Sequence, residues 1–365
     1  MRALKKIAII QDYLRNGGTE RQSLHLARAL AASGHEVTLL TFRPGGALSP
    51  NPKSEIRNLK FLSLQPFDTH LDFFAPRLHA AIRRLAPDII LCMGRMANCK
   101  AGRLARAFPR TAVISTMRTG KKLPRAYIRS LHATRHTIAN SHEAARLLRD
   151  RHALPAEKIT VIHNAIIFPP SDSEILNLKS LPSEARSLTI LPLRLLCVAM
   201  FRPEKNHREL LEIFSKLHAA CATELHLVGD GPELAPCRAL AQKLNIAARV
   251  HFHGYIADPA PFYANPLNTI AVLTSRSESL PNFLIEAHAH GIPSVACAVG
   301  GVAECGGIAI PPNDQPAFLA ALANLITSPD ARAAESARVA THAREHFSPE
   351  PQLHRYLTLF DKLIS

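Results

Sequence analysis

An α/β protein of two doubly wound domains is the fold that this sequence predicts, on three observations. The chain has 365 residues, and domains run to roughly 100–200 residues, so two are expected. Short apolar runs alternate with helical patterns along the whole chain, the signature of parallel strands joined by crossover helices. The alternation lapses once, between Phe168 and Pro192, in a segment rich in proline and serine.

In the first half, Ile7–Ile10, Val37–Phe42, Asp88–Cys92, Ala112–Ser115 and Thr137–Ala139 read as strands. A helix is expected from Thr19 to Ser33, opened by a Thr19/Gln22 capping box and closed at Gly34. Residues 171–192 read as a linker between a first domain, 1–170, and a second, 193–348. The second has strands at Leu193–Ala199, Glu224–Val228, Val250–Phe252, Thr269–Thr274 and Ser294–Ala296, with helices near His207–Ala220, near Glu233–Leu244 and from Pro281. Residues 349–365 follow a Ser-Pro break as a helical pattern that could dock on either domain. Open parallel sheets bind ligands beyond the carboxyl ends of their strands, so two Rossmann-like domains of similar size suggest a central cleft.

Hydrophobic residues make up 47% and charged residues 20% of the chain, which is ordinary for a globular protein and argues against disorder. No run approaches the roughly 20 apolar residues of a membrane span. The start, MRALKKIAIIQ, has too short an apolar run for a secretory signal and reads as a first strand. The cysteines are Cys92, Cys99, Cys197, Cys221, Cys237, Cys297 and Cys305, an odd number without C-x-x-C spacing. Reduced thiols in a cytoplasm are expected, not a zinc site or a disulfide framework.

Charge is unevenly placed. Residues 1–170 carry 28 Lys/Arg and 10 Asp/Glu, a net +18, whereas residues 171–365 carry 16 and 19, a net −3. A basic half suits nucleic acid, an anionic membrane or an anionic acceptor. No helix-turn-helix, zinc-finger or RRM pattern is present, so nucleic acid is not the expected partner.

The most informative segment is TSRSESLPNFLIEAHAHGIPSVACAVGGVAE, Thr274–Glu304. A strand ends near Thr274, and Pro281 falls where a first helical turn needs no N–H. The N–H groups of Leu280, Asn282 and Phe283 then lie beside a positive helix end, a ready site for a diphosphate. Glu278, just before the helix, can reach a group beside the phosphates, and Glu286, within it, can accept bonds from two adjacent hydroxyls such as those of a ribose. Solvated helix charges are the plainer reading of two glutamates at this spacing; the PN start, GIP turn and VGGVAE tail favour a site. In VAMFRPEKNH, Val198–His207, Arg202 and Lys205 follow a strand and can neutralise a diphosphate. LVGDGPE, Leu227–Glu233, reads as a structural turn.

Glu278-x7-Glu286 in this setting resembles the E-x7-E motif of retaining GT-B glycosyltransferases, particularly glycosyltransferase family 4. The resemblance implies that Glu286 binds the nucleotide ribose and that Glu278 lies beside the donor sugar. It gives Arg202 and Lys205 the diphosphate, although the family arginine often sits where Met200 stands here. VHFHGYIAD resembles the family segment near the nucleobase, which brings in Gly254, Tyr255 and Ile256. Gly17-Gly18 resembles the GG-x-E loop that approaches donor phosphate or acceptor. ANSHEAARLL and KITVIHNAI also resemble the family, with Asn164-Ala165 in place of the usual Asn-Gly.

The family often has a histidine in the loop that here reads STMRTGKK, where Met117 and Arg118 stand instead. No catalytic histidine is therefore named, and Arg118 is a candidate acceptor or sugar contact. Arg118, Lys121, Lys122, Arg125, Arg129, His132 and Arg135 recur at three- and four-residue steps around Leu123, Tyr127, Ile128 and Leu131. That pattern is expected to be a basic amphipathic helix suited to an anionic interface; a solvated face over a core stripe is the alternative.

The resemblance thus implies a GT-B fold of two Rossmann-like, doubly wound domains facing a cleft, acceptor on the first and nucleotide sugar on the second. It implies a retaining hexosyl- or N-acetylhexosaminyltransferase with no cofactor beyond the donor, expected to be a UDP-sugar. No Asp-x-Asp triplet occurs, so no metal is expected. A glycan or lipid-linked acceptor in lipopolysaccharide or another envelope glycan is expected, on the inner face of the plasma membrane. The rival readings are a nucleotide-sugar 2-epimerase of the same fold and, from charge alone, a nucleic-acid-binding protein.

Overall fold

The computed structural model describes residues 4–49, 56–169, 192–217 and 223–364. Almost all of the linker placed at 171–192 lies outside the described residues, as do Cys221 and the end of the helix expected to reach Ala220. The chain divides into two compact units, one of residues 1–165 with 349–365 and one of residues 166–348. No helix among the described residues is long and apolar enough to cross a membrane.

The first unit holds seven strands: β1 (Lys6–Gln11), β2 (Glu36–Thr41), β3 (Leu59–Ser63), β4 (Ile89–Cys92), β5 (Ala112–Met117), β6 (His136–Ala139) and β7 (Ile159–Val161). They form a parallel sheet of order β3-β2-β1-β4-β5-β6-β7. Helices α1 (Gly18–Ala32), α2 (Leu78–Leu85), α3 (Arg95–Ala107), α4 (Arg125–Ala133) and α5 (His142–His152) make the crossovers. Strand side chains alternate between faces. Ile7 and Ile9 accordingly join one core cluster and Ala8 and Ile10 another. Both faces are covered, which is why the strands read as continuous apolar runs.

In the second unit, β8 (Leu193–Val198), β9 (Thr223–Val228), β10 (Val250–Gly254), β11 (Thr269–Leu273), β12 (Ser294–Cys297) and β13 (Ile308–Ile310) form a parallel sheet of order β10-β9-β8-β11-β12-β13. Its helices are α6 (His207–Lys216), α7 (Leu234–Lys243), α8 (Asn282–Ala289), α9 (Gln315–Thr327) and α10 (Pro329–Phe347). One apolar cluster runs through the unit. Each sheet reverses its direction of growth once, between β1 and β4 and between β8 and β11. Such switch points are where doubly wound sheets bind ligands.

The last helix, α11 (Pro349–Ile364), belongs to the first unit. Tyr356 and Phe360 are buried in the cluster that includes α1, and the Lys5 ammonium, itself buried, lies 2.5 Å from the Asp361 carboxylate.

The structure differs from expectation in three respects. Helix α1 opens at Gly18 with Gly17 as its cap and no side-chain cap bond, so the Thr19/Gln22 capping box does not form. The earlier start leaves Thr19 inside the helix, and the Gln22 amide instead bonds the backbone N–H and carbonyl of Ala165; the close at Gly34 stands, with φ +93°. The basic stripe is not one helix: β5 runs to Met117, and α4 starts only after Pro124, whose extended backbone (ψ 149°) ends the preceding loop. The sheet edges β3, β7 and β13 are strands the apolar pattern did not reveal; being short and only partly buried, they carry little of the signal.

Candidate functional site

At the switch point of the second unit, the loop after β8 meets the loop after β11. Arg276 donates its backbone N–H to the Glu204 carbonyl at 2.8 Å, and the Thr274 hydroxyl donates to the Asn206 carbonyl at 3.0 Å. Between these ties the Lys205 ammonium donates to the Glu278 carboxylate at 2.5 Å. The two side chains are 24% and 8% exposed, so the carboxylate is the more deeply held. The Phe201 ring stacks on His207 at 4.0 Å, fixing the first loop from below.

A third segment closes on this pair. Gly301 donates its N–H to the Ser279 carbonyl at 2.9 Å. Gly300 has φ +57°, and a Cβ there would stand 2.0 Å from the Glu278 carbonyl oxygen. Gly300, the first glycine of the VGGVAE tail, is thus a packing requirement of the Glu278 loop. Gly229, in the GDG turn, does the same for the other loop: with φ +144°, its Cβ would meet the Ala199 carbonyl at 2.0 Å. Asp230 accepts from the Gly231 N–H at 2.7 Å, a turn bond in keeping with the structural reading of LVGDGPE.

Helix α8 starts beside Glu278. Pro281 is its N-cap, one residue earlier than a first-turn proline, and its carbonyl accepts from Leu284. The backbone N–H groups of Asn282 and Phe283 belong to the first turn, which has no intrahelical acceptor. The side chains of Leu280 and Phe283 are buried in the core, so these residues offer backbone only. One turn on, Glu286 accepts from the Tyr263 hydroxyl at 3.0 Å. Tyr263 is buried, comes from a short 3-10 turn, Ala260–Tyr263, and was not singled out in the sequence. Arg202 is exposed and its side chain makes no hydrogen bond or ion pair among the described residues. Gly254 ends β10 with φ +68°, followed by exposed Tyr255 and Ile256.

The first unit has its own cavity, of about 560 Å³, at the switch point between β1 and β4. Asp12 lies at its floor, accepting from the N–H groups of Met96 and Ala97 at the start of α3, at 2.8 and 2.7 Å. Burial pushes its carboxyl up to about 6, against the pull of those two N–H groups. Arg15, Arg95 and Arg118 also line the cavity. Arg118 donates to the Asn164 amide oxygen at 2.5 Å and to the Tyr356 hydroxyl at 2.8 Å, which ties α11 to the cavity wall. Gly17 and Gly18 open α1, whose next residues, Thr19 and Glu20, line the same cavity. Lys121, Lys122, Arg125 and Arg129 are exposed, the first two on the loop before α4.

The rim of this cavity carries a loop that sequence reasoning passed over. Arg43, buried, donates to Asp68 at 2.7 and 2.8 Å and to Asp72 at 2.6 Å, with its guanidinium 4.0 Å from the Tyr13 ring centre. Gln65, also buried, donates to the carbonyls of Leu71 and Phe74 at 3.1 and 2.7 Å. These buried struts hold out Phe67, Leu71, Phe73 and Phe74, all exposed. The only signal in the sequence was FDTHLDFF itself, in which nothing tells core from surface.

The same division appears in comparisons with known proteins. Residues 16–167 match the model of Glycosyltransferase Family 4, and residues 192–328 match that of Glycosyl transferases group 1. The chain belongs to the GT-B glycosyltransferases. It is 34% identical to the N-acetyl-alpha-D-glucosaminyl L-malate synthase of Bacillus anthracis over 110 residues, 30% of this chain and only 28% of that relative's length. A longer match, 24% identical, covers 77% of this chain and 76% of the lipopolysaccharide core biosynthesis glycosyltransferase LpsE of Rhizobium meliloti. Among solved structures, Anabaena Alr3699/HepE in complex with UDP-glucose has a TM-score of 0.78 at 17% identity, covering 98% of this chain and all of that one, a likeness of fold.

Proposed function

We propose that this glycosyltransferase moves a sugar, with retention of configuration and without a metal ion, from a UDP-sugar to a hydroxyl of a lipid-linked envelope glycan, such as a lipopolysaccharide core. The observation that carries the reading is the Lys205–Glu278 pair at the switch point of the second unit, beside the start of α8. Lys205, Arg202 and the α8 N–H groups supply the positive charge that a departing nucleoside diphosphate needs. Glu278 holds Lys205 and stands next to the donor sugar. Glu286, oriented by Tyr263, takes the ribose hydroxyls, and Gly254, Tyr255 and Ile256 border the base.

The reaction runs on one face of the sugar. The bond from C1 to the diphosphate oxygen breaks as the bond from the acceptor oxygen to C1 forms on the same side. The acceptor proton passes to the leaving phosphate. The protein's part is positioning and charge stabilisation, so no side chain has to become a covalent intermediate.

The cavity of the first unit supplies the acceptor reading. Its arginines suit a phosphorylated sugar, and the Phe67–Phe74 loop at its rim suits the apolar part of a lipid carrier or the bilayer that holds it. LpsE, named for lipopolysaccharide core biosynthesis, supports the same class. The exposed phenylalanines and the +18 charge of residues 1–170 support a peripheral attachment to the inner face of the plasma membrane.

The experiment is a UDP-release assay over a panel of UDP-sugars, with delipidated core glycan and lipid-linked acceptor, in the presence of EDTA. Acceptor-dependent release with retained anomeric configuration is expected. Loss of all activity in EDTA, restored by Mn²⁺, overturns the metal-independent mechanism. Product formation without any acceptor favours the 2-epimerase.

A further inference from the structure

The edge of the second sheet carries a cluster of side chains that the transfer reaction does not use. Glu224 and His226 are alternate residues of β9, so their side chains leave the same face. His251 of the edge strand β10 lies in register with His226. A single Glu224 oxygen stands 3.3 Å from His226 Nε2 and 3.2 Å from His251 Nε2. All three ligand atoms lie within 4.8 Å of one another.

The two spacings from Glu224 fit the edges of a tetrahedral ion, and the two ring nitrogens lie within 4.8 Å of each other. Zinc bonds nitrogen and carboxylate oxygen at about 2.0–2.2 Å, and a tetrahedron of that size has edges of roughly 3.3–3.6 Å. The other partners around the cluster place no cation on Glu224 and leave one ring nitrogen unused. His251 Nε2 is buried and makes no hydrogen bond, despite its nearness to Glu224. Arg194 sits opposite Glu224 in register on β8, yet its guanidinium donates to the Thr269 hydroxyl and the Phe262 carbonyl. Among the described residues no lysine or arginine pairs with Glu224.

The second layer of the cluster is also present. In the metal-free protein His226 Nε2 is within hydrogen-bond distance of Glu224, at 3.3 Å; with an ion bound, an Nδ1–H donated to His253 Nε2, 3.1 Å away, frees the Nε2 lone pair for the metal. The His253 ring is set in turn by an edge contact with Phe262, at 4.8 Å. Such an outer hydrogen bond fixes the tautomer of a metal-ligating histidine.

We propose that Glu224, His226 and His251 bind one divalent transition-metal ion of the zinc type, with His253 orienting His226 and water completing the shell. The ion staples the edge strand β10 to β9. An unpaired strand edge is the part of a sheet most open to fraying or foreign pairing. The strap ends at Gly254, immediately before Tyr255 and Ile256. The role is structural: Lys205 and Glu278 sit on other loops.

The test uses the untagged full chain, stripped of metal, with Co²⁺ and Zn²⁺ as probes. One equivalent of Co²⁺ is expected to give visible d–d absorption of tetrahedral intensity, displaced by Zn²⁺, and Zn²⁺ should raise the melting temperature. His251→Gln and Glu224→Gln should each abolish the cobalt spectrum while leaving the metal-free melting temperature within a few degrees. His253→Gln should weaken binding by about 10–100-fold. A cobalt spectrum that survives both ligand substitutions, or the absence of a one-equivalent signal in the parent chain, overturns the proposal. Should one variant fail to fold, the cobalt spectrum of the other decides between the two outcomes.

Discussion

Lys205 and Glu278 stand 73 residues apart in the chain and 2.5 Å apart in the fold, joined by a hydrogen bond between ammonium and carboxylate. The pair ties the loop after β8 to the loop after β11. In the proposed donor complex, a diphosphate at the start of α8 draws on the same ammonium, so that Lys205 would have one partner in the free protein and two when donor is bound.

Removing the lysine leaves a mostly buried carboxylate without its cation. Lys205→Ala should cost about 1–2 kcal/mol of stability, with part of the gain of the intact pair screened by solvent. Much of that loss should be recovered in Lys205→Ala/Glu278→Gln, as read by urea denaturation of all members of the cycle. Donor turnover should fall by about 10²-fold or more in both. Additive stability effects would show that the pair is not coupled.

On the proposed donor site, Glu286→Ala should remove a charge-assisted hydrogen bond to the ribose, worth roughly 1.5–3 kcal/mol. Affinity for UDP should drop by about tenfold or more by calorimetry. Tyr263→Phe leaves the carboxylate in place but takes away the hydroxyl that aims it. A smaller, severalfold loss is expected there. Unchanged UDP binding in Glu286→Ala would remove the residue from the site.

Asp12 gives a stability difference that depends on pH. Its folded carboxyl is raised by burial to about 6, above the ordinary value of 3.8. The folded state therefore holds a proton that the unfolded state has released between these values. Stability contributed by this group is present below about pH 4 and is lost as pH rises through 6. Measured against Asp12→Asn, the parent chain should lose about 2 kcal/mol across that window. A stability difference that stays flat from pH 4 to 7 would mean that Asp12 does not titrate there.

Membrane attachment should have two separable parts. Each Lys or Arg near an anionic bilayer contributes about 1 kcal/mol, decaying over a Debye length. Replacing Lys121, Lys122, Arg125 and Arg129 with serine should weaken co-sedimentation with acidic liposomes at low salt. Replacing Phe67, Phe73 and Phe74 with serine should remove the fraction that persists at high salt. UDP affinity should be unchanged in both, because the donor residues belong to the other unit. Equal binding of all variants to neutral and acidic vesicles would leave the charge to a soluble anionic acceptor.

Much of the donor region is legible in the sequence. Strand, polar loop and proline-started helix are local patterns, and they place Glu278 before α8 and Glu286 within it. The glycines of GDG and VGGVAE are visible as motifs, but their reason is not: Gly229, Gly231 and Gly300 each leave room for a carbonyl from a distant loop. Local patterns also mislead. Three- and four-residue spacing joins Arg118 and Lys121 to a helix that begins only after Pro124, because periodicity does not register where a strand ends.

The sequence by itself determined two doubly wound units and the segments that carry the donor motifs, because burial periodicity, helix caps and turn residues act over a few neighbours. Tertiary structure alone decided that Lys205 meets Glu278, that Tyr263 aims Glu286 and that Arg118 reaches Asn164 and Tyr356. It also decided that α11 closes the first unit and that Glu224 stands between His226 and His251. These partners lie on different strands and loops. Their meeting is fixed by the order of the strands in each sheet, and no spacing along the chain records that order.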